Sequence, residues 1–329
     1  MTSFDKRRKT DKLVREIWDA DYDVFYPDKK AKEMNNTRTL KWDPLANCAV
    51  SFDDGRLSWL ECCEDEIVRV KHVERIDPHG IYGFCTQPGS GNLIASVSRG
   101  MEFYSRDRSE PWNLKKMCSI AGDSELEYRQ LDCNVDGSIV VNCKRIYTPG
   151  GIRLFDVKGR FQTTLIDSVQ SDIEEIFVDS KTNRCIAILG KSSWRWKPCA
   201  FDIRTGEQVT TGNKWRQSAE LTDLKVAFDP FNRVLLVYNH PRDKEAEKFA
   251  DGQGLEYIQL MSKHVLDLDA DFRPLACHLQ FEPDDFTKGM CICIDPNTGC
   301  LWKCNDNIFH RHNTMNGKGR ITRAYKTIT

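Results

Sequence analysis

An all-β fold is predicted by three features of this sequence. From Thr39 onward, apolar runs of four to six residues alternate with clusters of Gly, Pro, Asn and Asp, the texture of many short antiparallel strands. A hairpin-like unit recurs six times along that stretch, at spacings of roughly 44 to 54 residues, near the length of a propeller blade. No sustained helical period follows Trp18. A four-stranded blade cannot bury both of its faces alone, so neighbours must stack about an axis and the ring must close. The expected architecture is a β-propeller of six four-stranded blades, preceded by an N-terminal amphipathic helix.

The elements follow in chain order. Leu13, Val14, Ile17 and Trp18 recur at the i, i+3, i+4 spacing that places them on one face of a helix over residues 5–19, with Thr10 as its N-cap. A polar connector leads on, with one extended piece, Val24–Pro27. Residues 1–36 therefore form a helix and connector, and 37–329 the propeller domain. The first repeat runs from Leu40 through Asp43-Pro44 to Val50, the second from Thr86 through Gly91 to Ala95, and the third from Leu131 through Gly137 to Val141. The fourth spans Ile176–Ile188 and the fifth Val226–Val237, while a looser sixth runs from Leu279 to Ile294. A third strand follows each copy, often opening on glycine, at Gly55, Gly100, Gly151, Pro198, Gly254 and Gly299. Three copies continue into a fourth strand, at Phe161, Gln208 and His264. The leftover segments Val24–Pro27 and Gly319–Tyr325 are placed to complete one blade from both ends of the chain.

Composition narrows the class further. With 40% hydrophobic and 29% charged residues, the 329-residue chain can bury a large core and keep a soluble surface. It opens on Met1–Lys9 without an apolar stretch, so no signal peptide is expected, and no run of about 18 apolar residues is present to span a bilayer. Its 14 cysteines sit mostly inside apolar runs, as expected of reduced thiols in the cytoplasm or nucleus. The net charge of −1 hides basic ends around an acidic middle.

The stretch Gly151-Ile152-Arg153-Leu154-Phe155-Asp156, continuing through Gly159-Arg160-Phe161, resembles the end of an NHL repeat. Phe201-Asp202-Ile203-Arg204-Thr205-Gly206 resembles the corresponding part of an NHL or, less closely, a WD repeat. The Gly-His and Trp-Asp signatures of WD repeats are absent, as is the second-strand pattern of NHL repeats. The resemblance implies a propeller used for partner binding or RNA recognition. The spacing of cysteine and histidine resembles no RING, so no ligase activity is implied.

Function is expected to be binding, with no catalysis and no cofactor. The favoured reading is a scaffold or adaptor for protein partners, not a membrane protein. Its contact residues would be the basic Lys6, Arg7, Arg8, Lys9, Arg320, Arg323 and Lys326, with Leu13, Ile17 and Trp18 on the helix. Trp194, Arg195 and Trp196 interleave rings and cations in an expected exposed loop, where RNA bases could stack. RNA binding by an NHL-like face is thus the second reading. A calcium-dependent propeller hydrolase or lactonase is the third, with Glu102, Asp132, Asn142 and Glu175 as metal ligands converging on a central channel. Cys291, Cys293, Cys300 and Cys304, with His310 and His312, form the densest metal-ligating group, but C-x-C lacks the tight knuckle of a zinc site, so no metal is expected. The charged Asp243–Asp251 insertion is expected to project as a loop or short helix.

Overall fold

The computed structural model describes residues 22–27 and most of 40–312. Residues 1–21, 28–39, 241–256, 280–290 and 313–329 lie outside the described residues, as do shorter stretches including 63–66, 146–149, 191–194 and 297–300. The helix expected over 5–19, the Asp243–Asp251 insertion and Gly319–Tyr325 all fall there.

Strand β1 (Tyr22–Pro27) comes first. An antiparallel meander follows, of β2 (Leu40–Asp43), β3 (Cys48–Asp53), β4 (Arg56–Cys62) and β5 (Ile67–Arg75). Two more have the same form: β6 (Ile81–Thr86), β7 (Leu93–Val97), β8 (Gly100–Arg106) and β9 (Leu114–Ala121); then β10 (Leu126–Cys133), β11 (Ile139–Arg145), β12 (Gly151–Phe155) and β13 (Phe161–Ile166). Next come β14 (Asp172–Asp179), β15 (Arg184–Gly190), β16 (Arg195–Asp202) and β17 (Gln208–Thr211), with β18 (Lys214–Arg216) pairing elsewhere along β16. Strands β19 (Asp223–Asp229), β20 (Val234–His240), β22 (His264–Leu268) and β23 (Pro274–Leu279) form another meander, while β21 (Tyr257–Gln259) lies parallel to β18. The series ends with β24 (Cys291–Ile294), β25 (Leu301–Asn305) and β26 (Ile308–His312).

Hydrogen bonding groups these strands into three four-stranded sheets, one six-stranded sheet and one eight-stranded sheet. The expectation of six separate four-stranded blades is thereby corrected. The reason lies in β1, which pairs antiparallel with β26 and parallel with β5, so the bonding runs from β24 to β2 without a break. The extended piece expected at Val24–Pro27 is part of β1. Its partner is Ile308–His312, and Tyr22 stands opposite His312. Two repeat assignments also change. The expected third strand at Gly254–Ile258 overlaps β21, which belongs to another sheet, and β22 takes that place. Leu279 ends β23, so the last unit begins at β24 instead. The inserted residues between β20 and β22 shift the phase of the repeat.

Period-two alternation explains how the sheets stack. On β11, Ile139, Val141 and Cys143 face a cluster shared with Cys85, Ile94, Met101 and Phe103. Val140 points the other way, into a cluster with Ile176, Val178, Cys185 and Phe201. Likewise Val50 packs toward Phe84 and Leu93, and Ala49 toward Cys293 and Trp302. Phe177 and Phe228 carry the contact on to the β19 sheet, with ring centroids 6.3 Å apart. First strands neighbour one another, β6 against β10, β10 against β14, β19 against β24 and β24 against β2, and the contacts of β3 with β6 and of Phe177 with Phe228 complete a closed ring. The fold is an all-β propeller.

Two polar features fix the geometry. Among the described residues, the turns after β2, β6 and β14 open on a polar side chain and close on a left-handed residue, at Asp43 and Asn47 (φ 50°), Gln87 and Gly91 (φ 73°), and Asp179 and Asn183 (φ 54°). Asn and Gly adopt that conformation at the least steric cost. The second feature is a fully buried ion pair. Arg106 of β8 grips Asp43 of β2 with both terminal nitrogens, Nη1 to Oδ2 at 2.5 Å and Nη2 to Oδ1 at 3.1 Å, and both side chains are 0% exposed. Trp59 Nε1 and Thr86 Oγ1 donate to the same carboxylate, and Arg106 Nε donates to Gly91 O.

Removing one partner leaves a buried charge alone, so Arg106→Ala is expected to cost about 3–5 kcal/mol in denaturant unfolding, and Asp43→Ala a similar amount. Adding Arg106→Met to Asp43→Leu should cost clearly less than the sum of the two single changes, and additive losses would show that the two side chains are not coupled. The recurring glycine at the start of the third strand has a steric origin. A Cβ on Gly151 would stand 2.2 Å from Ile166 O on β13, so Gly151→Ala should lower stability by about 1–3 kcal/mol, and an unchanged urea midpoint would refute that contact.

Candidate functional site

Among the described residues, Val73, Met117, Val135, Val157, Phe161 and Val209 are large apolar side chains left exposed. Three of them gather at one end of the β10–β13 sheet. Val135 (68% exposed) lies on the β10–β11 turn, Val157 (48%) on the β12–β13 turn, and Phe161 (53%) opens β13. The two turns touch, since a Cβ on Gly137 would fall 2.9 Å from Val157 Cγ2. Gln87 from the neighbouring sheet donates to Val157 O at 3.1 Å, so the turn is held from both sides. Phe161 rests on Phe155 (5.9 Å) and beneath the Arg153 guanidinium (5.5 Å). Lys158 stands exposed beside Val157. An apolar patch with a cationic neighbour is therefore displayed on a rigid edge.

The rigidity comes from turn chemistry. Asp156 Oδ1 accepts from the N–H groups of Lys158 and Arg160, and its Oδ2 takes the Arg160 Nε at 2.7 Å. Asp202 accepts from Thr205 N and Arg204 N, and Asp107 from Ser109 N and its hydroxyl. The backbone donors of Thr205 hold the Asp202 carboxyl below its ordinary value, and those of Ser109 do the same for Asp107.

A small cleft of about 60 Å³ lies between the β10–β13 sheet and β14, lined by Arg129, Asn142, Lys144, Gly150, Ile173 and Glu174. Small-molecule pockets start near ~300 Å³, so this one is too small for such a ligand. Asn142 Nδ2 crosses from β11 to β14 and donates to Ile173 O at 3.0 Å, while Arg129 Nη2 pairs with Glu127 along β10 itself.

The side chains expected to converge on a metal are held apart. Glu102, on β8, is taken up by Tyr104, Lys116 and Ser119. Asp132, on β10, accepts from Val178 N (2.8 Å) and Cys133 N (2.9 Å). Burial pushes its carboxyl up, and the Lys41 ammonium opposes that. Asn142 belongs to the cleft and Glu175 to β14, so the four are spread over three sheets. Among the described residues no three His, Cys, Asp or Glu side chains are grouped to hold a metal ion. Cys291 lies opposite Cys304 in the β24–β25 pairing, and Cys293 opposite Trp302; Cys300 falls outside the described residues.

Of the expected contact residues, Lys6, Arg7, Arg8, Lys9, Leu13, Ile17, Trp18, Trp194, Arg320, Arg323 and Lys326 lie outside the described residues. Arg195 and Trp196 correct the expectation of an exposed loop. They sit within β16, with Trp196 opposite Gly190 on one side and Trp215 on the other, and Arg195 opposite Arg216. Alternating rings and cations suit a strand as well as a stacking loop, and the pairing with β18 decided between them. The Val135–Val157–Phe161 patch escaped sequence reading, because Val135 and Val157 each stand singly in polar turns that come together only in the folded sheet.

The fold defines the class of protein, a β-propeller. No protein-family model matches the chain, and no curated protein matches it. A chain from the crystal structure of a nidogen/laminin complex is similar, with a TM-score of 0.51 and 10% identity over 78% of this chain and 88% of that one. Raptor from Chaetomium thermophilum is similar at a TM-score of 0.54 and 12% identity, over 92% of this chain. This chain corresponds to 30% of the Raptor chain. At these identities the likeness concerns the fold alone.

The lowered carboxyls carry a definite pH signature. A group whose folded value is depressed contributes stability above its unfolded value and loses it as pH falls through the folded value. Relative to Asp107→Asn/Asp202→Asn, the wild-type urea midpoint should therefore drop below about pH 4 and run parallel above it. Parallel curves throughout would mean the turn bonds do not favour the ionised form.

Proposed function

We propose that this protein is a non-catalytic propeller scaffold that binds a protein partner at the turn end of the β10–β13 sheet. The observation that carries this reading is the exposed trio Val135, Val157 and Phe161, held on a rigid edge beside the exposed Lys158. Contiguous exposed apolar side chains with a polar rim are the mark of a protein contact. The fitting partner is a protein segment that offers an apolar side chain next to a carboxylate. The similarity to a chain from a nidogen/laminin complex, itself an assembly of proteins by its name, supports the same class of function. Arg195 and Trp196, which the RNA reading placed in a loop, lie within β16.

The variant Val135→Asp/Val157→Asp tests the proposal, because both side chains face solvent and its thermal midpoint should stay within about 2 °C of wild type. Chemical cross-linking of tagged wild type in cells, followed by mass spectrometry, is expected to join partners through Lys158, and the variant should lose those links. Links at Lys158 that persist in a folded variant, or none in the wild type, would overturn the assignment.

A further inference from the structure

We propose that Cys85 and Cys133 form a reversible disulfide that staples β6 to β10. The two thiols belong to different sheets, 48 positions apart, and their sulfurs stand 2.9 Å from each other. Non-bonded sulfurs ordinarily keep a wider separation, and a disulfide needs about 2.05 Å. Closing the bond thus asks for less than about one ångström of movement. Both side chains are buried, at 5% and 8% exposure, within the cluster that joins the two sheets.

The surrounding backbone holds the pair in register. Two residues before Cys85, a Cβ on Gly83 would meet Gln130 Cα at 3.1 Å, so glycine is what lets β6 and β10 approach. The Ser96 hydroxyl lies between Gly83 O and Arg129 O, sharing its proton across the same seam. Lys41 of β2 then reaches over with its ammonium and donates to Phe84 O at 2.9 Å and to Leu131 O at 3.0 Å. Phe84 directly precedes Cys85, and Leu131 lies two residues before Cys133. Three independent contacts therefore fix the strands beside the two sulfurs. Other buried thiols are placed differently, Cys143 toward Val141 O at 3.8 Å and Cys199 toward Thr211 Oγ1 at 3.4 Å.

With a peroxide as oxidant the chemistry balances. One thiol, as its thiolate, attacks a peroxide oxygen and becomes a sulfenic acid with release of water. The second thiol attacks that sulfur, forms the S–S bond and releases another water. Two thiol hydrogens and two electrons pass to the peroxide in all. Burial pushes the Cys85 thiol up, and its contact with Cys133 adds to that, so thiolate is scarce and the reaction is slow. The exposed Cys118 on β9 supplies an internal comparison.

The test uses the reduced full chain under native conditions. It is treated with hydrogen peroxide, its remaining thiols are alkylated in denaturant, and non-reducing peptides are mapped by mass spectrometry. A Cys85–Cys133 linked peptide, two hydrogens lighter than its parts and reversed by dithiothreitol, is expected. It should form more slowly than Cys118 is oxidised. The thermal midpoint should rise by several degrees, because the link closes a long loop in the unfolded chain. Cys133→Ala should abolish both the linked peptide and the rise. Cys85 and Cys133 both still alkylated after peroxide exposure prolonged well beyond the full oxidation of Cys118 would overturn the proposal, as would a link from Cys85 to any other cysteine. The wild-type map decides the matter even if the variant fails to fold.

Discussion

Every central sheet of this protein has two oily faces, and each must be covered by a neighbour. Strand β11 makes the constraint concrete, sending Ile139 and Val141 one way and Val140 the other, all at 0% exposure. Burying such side chains is worth about 1.5–3 kcal/mol each, and a single sheet could collect that on one face only. The remedy is cyclic. Clusters pass from β2–β5 to β6–β9, then to β10–β13 and β14–β17, and Trp42 with Trp302 joins the last unit to the first, their rings 6.1 Å apart. Strand β1 adds a backbone seam to the same junction.

Apolar packing alone is tolerant of small rotations, and polar groups remove that freedom. The Arg106–Asp43 pair sits where β8 meets the end of β2, and its fork admits one relative orientation of the two sheets. Burying two charges is costly, yet here the carboxylate also receives Trp59 and Thr86 and the guanidinium reaches Gly91 O. A fully satisfied network of this kind specifies geometry more than it adds stability. Lys41 has the same effect near the axis, one ammonium tying carbonyls of β6 and β10.

A closed ring of this kind leaves its turns and outer edges as the adjustable surface. Turns whose backbone donors are met by Asp107, Asp156 and Asp202 hold their shape, so the side chains they carry are presented with little loss of freedom on binding. The patch at Val135, Val157 and Phe161 fits that logic. The polar cleft toward the other end of the sheet does not, since Asn142 already bridges to β14 there.

The first strands of five units and the turns at Asp43, Gln87, Asn134 and Asp179 were legible from residue types alone, whereas the first strand of the last unit was not. Apolar runs such as Ile139–Val141 and Ile186–Ile188 announce strands buried on both faces, and Asp, Asn and Gly at the turns are demanded by local backbone donors and left-handed φ values. The glycines opening β8 and β12 were legible as a recurring residue type, although the carbonyls that exclude a Cβ there, Ile120 O and Ile166 O, come from the next strand. The outer strands were harder to read. Five consecutive residues of β9, Lys115–Ser119, are exposed, so its residue types follow solvent and leave no apolar run. Folding alone brings Arg106 to Asp43, 63 positions away, Cys85 to Cys133, and the turn at Gly137 against Val157. Local chemistry is written in neighbouring residues, whereas these meetings depend on how far each sheet turns before it covers the next.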